Sequence, residues 1–184
     1  DPNVKIVALA DAYKDRLDGC RAELSKRSPI EEQNCFVGFD AYQKLLETDV
    51  DYVILATPPY YRPEHFEAAV KAGKHVFCEK PVAVDPNGIR RVIAAGEDAK
   101  KKGLCVVAGT QRRHSTGYIE RWQAIKEGQY GRIMGGRVSW CMGKIFSNSP
   151  INPKNPVDLA RGGRWQLCVD MSFDDIVEHH VHNL

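Results

Sequence analysis

A carboxylate and an ammonium group stand together where a short apolar run ends, in the sequence HVFCEKPVAVDP at positions 75–86. Glu79 and Lys80 follow the apolar residues directly, and Pro81 fixes the backbone angle just after them. An ammonium group held there suits the stabilisation of an oxygen that gains negative charge during a reaction. The structural alternative for Lys80 is a surface lysine in a turn, so its role depends on the element that holds it.

A second group of reactive side chains lies in DDIVEHHVHNL at positions 174–184, which we predict to be one helix with an aspartate near its start. Glu178 and His182 are four residues apart, so a helix places them on one face. Imidazole titrates near neutral pH, and His182 can therefore accept a hydroxyl proton and return it. Glu178 can orient the ring or hold a substrate hydroxyl.

A metal site is the alternative for this cluster, because Glu178, His179 and His182 offer three ligands. His114 is the obvious additional ligand. Adjacent residues of an α-helix diverge by about 100°, so neighbouring side chains converge poorly on one ion. We therefore expect no metal here, and we expect His179 and His180 to form an ordinary helix face.

Four short apolar runs alternate with helix-like segments over the first two-thirds of the chain. The runs lie at 4–10, 52–59, 75–78 and 104–109, and the segments between them that favour helix lie at 11–27, 63–73 and 86–102. This alternation predicts βαβ units and a parallel sheet whose strands are buried on both faces. Ligands of such sheets bind beyond the carboxyl ends of the strands. Each predicted strand end carries reactive side chains, which favours a catalytic role for Lys80.

The composition argues against two classes of partner. The chain has 184 residues, of which 43% are hydrophobic, and its net charge is only +2, so we expect no nucleic-acid partner. No stretch approaches the roughly 20 apolar residues of a membrane span, so we expect no membrane partner. The six cysteines form no C-x-x-C pair, and we expect free thiols in a reducing, cytoplasmic setting, with Cys78 and Cys105 buried. A disulfide framework is the alternative, and export of the parent protein stays open.

The pattern changes near residues 112–115, which we interpret as a domain boundary. Beyond it we predict a helix at 115–128, a strand at 131–143 and a long loop at 146–164. A dinucleotide-binding domain opens with a strand and a G-x-G-x-x-G loop, and no such loop is present. We therefore expect a fragment that lacks its first βα unit and its C-terminal sheet. The alternative is a complete small α/β protein.

Five segments, taken in order, resemble the Gfo/Idh/MocA family (glucose–fructose oxidoreductase and inositol dehydrogenase). They are ALADAY, ILATPPYYRPEH, GKHVFCEKPVAVD, GTQRRH and DDIVEHHVHNL. The second is similar to the T-P-x-x-x-H turn of the family, the third to its E-K-P signature, and the last to its acid-x-x-x-His pair. Glu178 stands where the family commonly has aspartate. The resemblance implies a cis peptide bond before Pro81.

The resemblance also implies a fold and an activity. The fold is α/β: an incomplete Rossmann-type dinucleotide-binding domain at 1–113, followed at 114–184 by the start of an α+β substrate domain. The activity is hydride transfer between a nicotinamide cofactor and a sugar or cyclitol carbinol or ketone. The catalytic residues implied are Lys80, His182 and Glu178. The partners implied are a small polyol substrate and further copies of the full-length parent.

The cofactor expected from this resemblance is NAD, with NADP possible. Asp11 at the end of the first run accepts the ribose hydroxyls, which favours NAD, while its structural alternative is a helix N-cap. The other candidates for cofactor binding are Thr57, Pro58, His65, Glu79, Lys80, Pro81 and Arg112. Strand termination, helix packing and a surface arginine are the structural alternatives for Pro58, His65 and Arg112.

Two other functions compete with this interpretation. A regulator of the same fold binds NAD(P) and turns over nothing, but the presence of both Lys80 and His182 argues against it. A metal-dependent hydrolase would use the histidine-rich helix. Trp140 near the predicted loop could stack on a sugar ring, although core packing is its more common role.

Overall fold

Short strands and helices alternate along the chain in a computed structural model, which describes residues 3–141, 165, 169–173 and 175–182. The strands are β1 (Leu9–Asp11), β2 (Cys35–Val37), β3 (Tyr52–Leu55), β4 (His75–Cys78) and β5 (Val106–Ala108). The helices are α1 (Lys14–Leu24), α2 (Ala41–Leu46), α3 (Arg62–Lys71), α4 (Pro86–Lys101), α5 (Thr116–Lys126), α6 (Val169–Ser172) and α7 (Asp175–Glu178). Short 3₁₀ turns lie at Glu32–Asn34, Gln111–His114 and His180–His182.

The strands form two sheets with the connections expected of βαβ units. β1 pairs in parallel with β2, with Leu9 opposite Cys35 and Asp11 opposite Val37. β3, β4 and β5 lie side by side in sequence order, with α3 and α4 as the connections between neighbours. A helical crossover between neighbouring strands is the connection that parallel pairing requires. The predicted α/β class with parallel strands is therefore confirmed.

The chain divides into two compact units, each built from three segments. Unit 1 contains Asp1–Leu55, Glu64–Phe77 and Ile93–Val106, and unit 2 contains Ala56–Pro63, Cys78–Val92 and Val107–Leu184. The three segments of unit 2 begin just after β3, at the last residue of β4 and at the second residue of β5. These units interleave in sequence, and the boundary between 113 and 114 stays a prediction.

The core of unit 1 forms where the helical periodicity predicts it. Phe66, Ala69 and Val70 on α3 are buried, as is Val76 on β4. Residues three and four apart share one face of a helix, which explains why these three side chains are buried together. Gly73 follows α3 with a φ of 74°, a conformation that glycine adopts at little cost and that ends the helix.

Three expectations about burial are wrong. On β3, Tyr52 and Ile54 are exposed, and all three residues of β5 are exposed, so these strands are not buried on both faces. Cys78 is buried as expected, but Cys105 is exposed. A continuous apolar run is compatible with burial of both faces of a strand. The elements that pack against the strand decide which faces are actually covered.

Two elements are not predicted from the sequence, and two predicted strands are absent or shortened, for reasons of length and pairing. β2 and α2 escaped sequence analysis because a three-residue strand and a six-residue helix carry too little periodicity to register. Residues 131–141 form no strand, since strand formation depends on a pairing partner more than on local composition. The first run also forms a strand only over Leu9–Asp11. The predicted loop at 146–164 lies outside the described residues.

The predicted single helix at 174–184 is also wrong over the described residues. α7 ends at Glu178, residue 179 is a turn, and His180–His182 form a separate 3₁₀ turn. Glu178 and His182 therefore do not occupy one continuous helical face. Three histidines in four residues favour helix weakly, which is consistent with a break at this point.

Candidate active site

Lys80 and Glu178 are brought together in unit 2 although 98 residues separate them. The ammonium Nζ of Lys80 donates hydrogen bonds to the backbone oxygen of Glu178 and to its carboxylate Oε2, the latter at 3.2 Å. The two side chains are only 15% and 7% exposed. A mostly buried ion pair with a backbone acceptor holds its charged groups in one geometry, unlike a surface pair. Lys80 is therefore not a surface lysine in a turn.

Two buried polar atoms at this place have no hydrogen-bond partner among the described residues. They are Oε1 of Glu178 and Nδ1 of His182. Buried polar atoms are normally satisfied, so each such atom in a native fold calls for an explanation. Oε1 accepts hydrogen bonds, and Nδ1 accepts one in the tautomer that carries its proton on Nε2. Hydroxyl groups are donors that suit both atoms in that state.

The His182 imidazole stacks on Trp140, with ring centroids 5.4 Å apart and planes 21° from parallel. His179 stacks on the same indole at 5.7 Å, so neither histidine is part of an ordinary solvated helix face. Burial lowers the pKa of His182, and the positive charges of Lys80 and Arg112 lower it further. His182 is consequently neutral near pH 7, the state in which imidazole accepts a proton.

Arg112 lies on the same indole. Its guanidinium carbon is 5.3 Å from the centroid of Trp140 and 5.8 Å from that of Tyr118. Cation–π contacts at this distance hold the guanidinium plane over aromatic carbon. Arg112 is half-buried and therefore differs from the surface arginine of the structural alternative. Trp140 is half-buried among cationic and imidazole groups, so it is not a simple core residue.

Glu79 occupies a tight place beside Gly109. Its carboxylate Oε2 accepts the backbone N–H of Lys80 at 3.2 Å, and a Cβ on Gly109 would lie 2.6 Å from the same oxygen. The N–H of Gly109 donates to the carbonyl of Cys78 at 2.8 Å. Any residue larger than glycine at position 109, directly after β5, would collide with the Glu79 carboxylate. Burial raises the pKa of the neighbouring Cys78 thiol to about 11, which keeps it protonated.

Arg62, at the start of α3, is a buried residue that sequence analysis missed. It is 3% exposed and donates from Nε to the carbonyl of Thr57 at 2.7 Å. Its NH1 donates to the carbonyls of Glu79 at 3.1 Å and Pro81 at 2.5 Å. Pro81 follows a cis peptide bond, as expected. The only sequence signal for Arg62 is that the T-P-x-x-x-H pattern, counted from Thr57, puts its histidine at position 62.

Thr57 and Pro58 are half-buried in the segment that follows β3, and Pro59 beyond them is fully buried. The N–H of Tyr60 in the same segment donates to the carbonyl of Met171 on α6 at 3.3 Å. The prolines lie directly beyond the end of β3, a place compatible with either role expected for Pro58, and the Thr57 carbonyl is engaged by Arg62. The segment is anchored at both ends within unit 2.

Asp11 and His65 belong to unit 1. Asp11 ends β1, is half-buried, and accepts the Tyr13 N–H on Oδ1 at 2.8 Å. The N-cap of α1 is Tyr13, so the N-cap role expected as an alternative for Asp11 is wrong. His65 is 8% exposed and packs on the Tyr42 ring with centroids 4.2 Å apart, and burial lowers its pKa. These contacts favour the structural interpretation of His65.

The structure also bears on the metal alternative for Glu178, His179 and His182. Within residues 3–141, 165, 169–173 and 175–182, no three histidine, cysteine or acidic side chains are grouped as metal ligands. Glu178 instead pairs with Lys80, and His182 with Trp140. None of the helices in the described part of the chain has the length and apolar character needed to cross a membrane.

The sequence and the fold are both similar to those of known proteins. Residues 1–110 match the model of an oxidoreductase family with an NAD-binding Rossmann fold, Gfo/Idh/MocA. The myo-inositol 2-dehydrogenase of Thermotoga maritima is 26% identical over 172 residues, which are 92% of this chain and 45% of that protein. The inositol 2-dehydrogenase of Paracoccus denitrificans is 28% identical over 123 residues, 67% of this chain and 34% of the relative.

A solved structure of an inositol dehydrogenase has a similar fold. The scyllo-inositol dehydrogenase of Lactobacillus casei, crystallised with NAD(H) and scyllo-inositol, has a TM-score of 0.54 and 25% identity. The match covers 69% of this chain and 34% of that one, and the chain spans less than half the length of each of these relatives. The family match, the parallel strands and the E-K-P strand end together show that this chain belongs to the Gfo/Idh/MocA oxidoreductase family.

Proposed function

We propose that the full-length protein is an NAD-dependent dehydrogenase that exchanges a hydride between its cofactor and a carbinol or ketone of a sugar or cyclitol. The observation that carries the proposal is the Lys80 ammonium, fixed by Glu178, beside two buried acceptors without partners. Such a site binds an oxygen that gains charge and also binds hydroxyl groups. The names of the relatives support inositols or similar polyols as the substrate class.

The residues present fit a dinucleotide. Asp11 is a half-buried carboxylate at a strand end whose Oδ1 is engaged by the Tyr13 N–H, while Oδ2 takes no hydrogen bond from the described residues. A carboxylate in that state suits a ribose diol and favours NAD over NADP. Bound NAD supplies the hydride acceptor, and the chemistry of that transfer belongs to the cofactor. We assign cofactor binding to Asp11, Thr57, Pro58, Glu79, Lys80, Pro81 and Arg112, and we assign His65 to packing.

The protein residues handle the proton and the charge. As the carbinol carbon loses its hydride, the hydroxyl proton moves to Nδ1 of His182, which is neutral at pH 7. An ammonium has three N–H donors, and Glu178 takes two of those on Lys80. The third donates to the reacting oxygen and favours its negative charge. In the reverse direction the same groups return the proton to the alkoxide.

Glu178 supports the reaction in two ways. Its backbone oxygen and Oε2 accept hydrogen bonds from Lys80 and hold the ammonium in place. Its Oε1 accepts a hydrogen bond from the substrate hydroxyl next to the reacting carbon. A site with a buried acceptor discriminates strongly against a substrate that lacks the matching hydroxyl, because the acceptor is then left unpaired. This requirement supports a polyol over a simple alcohol.

The proposal extends to the organisation of the parent protein. We propose a dinucleotide-binding domain that includes residues 1–113, and the family match over 1–110 supports it. Residues 114–184 then begin an α+β substrate domain. A homo-oligomeric parent and a cytoplasmic location complete the proposal, and the free thiols of the described cysteines are compatible with a reducing compartment.

Cofactor binding and turnover of the full-length protein test this function. We expect calorimetry to give tighter binding of NAD than of NADP, and a panel of inositols and sugars to yield NADH. A simple alcohol without neighbouring hydroxyls is the control and should be inactive. Binding of NAD without turnover of any polyol would favour the regulatory alternative, and binding of neither nucleotide would overturn the proposal.

A further inference from the structure

The Lys80 backbone is held from outside its own strand by one side chain. Arg62 NH1 donates to the carbonyl before Lys80, that of Glu79, and to the carbonyl after it, that of Pro81. Its Nε donates to the carbonyl of Thr57, in the segment that follows β3. One guanidinium thus connects two strand-end segments and spans the peptide groups on both sides of the lysine.

This arrangement depends on the geometry of arginine. The guanidinium presents donors in a rigid planar fork, whereas an ammonium group is a point charge that rotates on a flexible stem. Arg62 is 3% exposed, and three of its hydrogen bonds go to neutral carbonyl oxygens. Burial lowers its pKa, while the negative charges of Glu178 and Glu79 act in the opposite direction. Burial of a cation costs stability, and the three hydrogen bonds to carbonyl oxygens offset part of that cost.

We propose that Arg62 is a positioning residue for Lys80: it holds the carbonyls on both sides of the lysine so that its ammonium stays directed at the reacting oxygen. The inference deepens the proposed function and rests on it for the role of Lys80. It goes beyond the assignment of the reactive groups, because Arg62 donates to backbone carbonyls beside Lys80 and would act through that backbone. It also gives a role to the arginine found at the histidine position of the T-P-x-x-x-H pattern.

Hydrogen exchange tests the positioning without any turnover. In the full-length protein, Arg62→Met should speed exchange of the amides at positions 80, 82 and 83 about tenfold, the value of one hydrogen bond to a charged group. Arg62→Lys should show a smaller increase, because one ammonium cannot span three carbonyls in a plane. Amides of α3 beyond its first turn and of β4 should exchange as in the wild type. Arg90→Met, which removes an exposed arginine that bonds Asn87, is the matched control and should change nothing.

Kinetics provide the second readout. Arg62→Met should lower kcat about 100-fold and change the Kd for NAD by a much smaller factor, because small displacements of a catalytic group cost about that much in turnover. Unchanged exchange around Lys80 in a folded variant would overturn the proposal. An equal rise in exchange over α3, β4 and the Lys80 segment would also overturn it, since that result marks a general loss of stability. If Arg62→Met does not fold, the same outcomes apply to Arg62→Lys. A wild-type protein without dehydrogenase activity would refute the proposed function, while the exchange result would still decide the role of Arg62.

Discussion

Two histidines of this chain have similar close contacts and different electrostatic surroundings. His65 in unit 1 packs at a tilt against the Tyr42 ring, His182 in unit 2 stacks on Trp140, and burial lowers the pKa of both. The charge that acts on His65 is that of Glu64, whereas His182 experiences several charged groups. Those groups are Lys80, Arg112, His179 and Glu79.

The comparison separates packing from chemistry. A buried imidazole against an aromatic ring is an ordinary way to fill a core, and a lowered pKa follows from burial alone. Several charged groups around one imidazole are costly, and perturbed groups of this kind concentrate at functional sites. The contact of a histidine with an aromatic ring therefore does not distinguish a structural from a functional role. The charged groups around His182 do.

The largest effect is expected from Lys80→Met, which removes the ammonium and keeps much of the side-chain volume. Turnover should fall about 10³-fold, far more than the affinity for NAD, because the main lost interaction forms with the reacting oxygen. Steady-state kinetics together with calorimetry measure the two quantities. Lys74→Met is the matched control in unit 1, where Lys74 donates to the Thr48 carbonyl at 3.2 Å, and it should keep normal turnover. Wild-type turnover in Lys80→Met would contradict a role for Lys80 in the reaction.

Paired substitutions of the two histidines test the comparison directly. His182→Gln should lower kcat about 10²- to 10³-fold, since a general base contributes about that much. His65→Gln should instead lower the melting temperature and leave kcat within about threefold, because it removes a packed ring from a core. Kinetics and thermal unfolding of both variants decide the matter. A catalytic loss at His65 equal to that at His182 would show that the two surroundings do not differ in function.

The fold could be predicted furthest where local patterns carry the signal. α3, α4 and α5 were predicted within a few residues because apolar spacing and the terminal glycines Gly73, Gly103 and Gly128 specify them locally. β4 was predicted with its bounds, because a four-residue apolar run is followed at once by charge. β2 was not, because Cys35–Val37 becomes a strand through its pairing with β1.

The candidate site follows the same division. Lys80 was identified from a strand end, which is a local feature of the sequence. The contact of Lys80 with the Glu178 carbonyl, and the bonds from Arg62 to carbonyls 17 and 19 residues away, arise only in the folded chain. Backbone carbonyls are present at every residue, so no sequence pattern marks those that a buried arginine will select.

A tenfold effect is expected in unit 1 from Asp11→Ala. The Kd for NAD should rise about tenfold, the value of hydrogen bonds between a carboxylate and hydroxyl groups, and kcat at saturating NAD should stay close to normal. Calorimetry and kinetics at high NAD separate the two. Asp18→Ala, which removes an exposed carboxylate paired with Lys14, is the control. A lower kcat with an unchanged Kd would contradict a role for Asp11 in cofactor binding.

The smallest effect concerns pH. In the proposed role of His182 as a base, its protonation would stop the reaction, so kcat/KM should fall as the pH drops through its pKa, which lies below the ordinary 6.5. Arg112→Gln removes a positive charge that lowers this pKa, so the acid limb should move to higher pH. The pH profile of the variant measures the shift, and an NMR titration of His65 should show none. A shift to lower pH would contradict the assigned electrostatics.

Direct transfer of deuterium tests the central claim most directly. The full-length protein would be supplied with NAD and polyols that carry deuterium on their carbinol carbons, and the reduced cofactor would be examined by mass spectrometry. The account predicts one deuterium on each NADH formed from an inositol or related polyol, and about 10³-fold slower labelling in Lys80→Met. NADH without deuterium, or no reduced cofactor with any polyol of the panel, would contradict it.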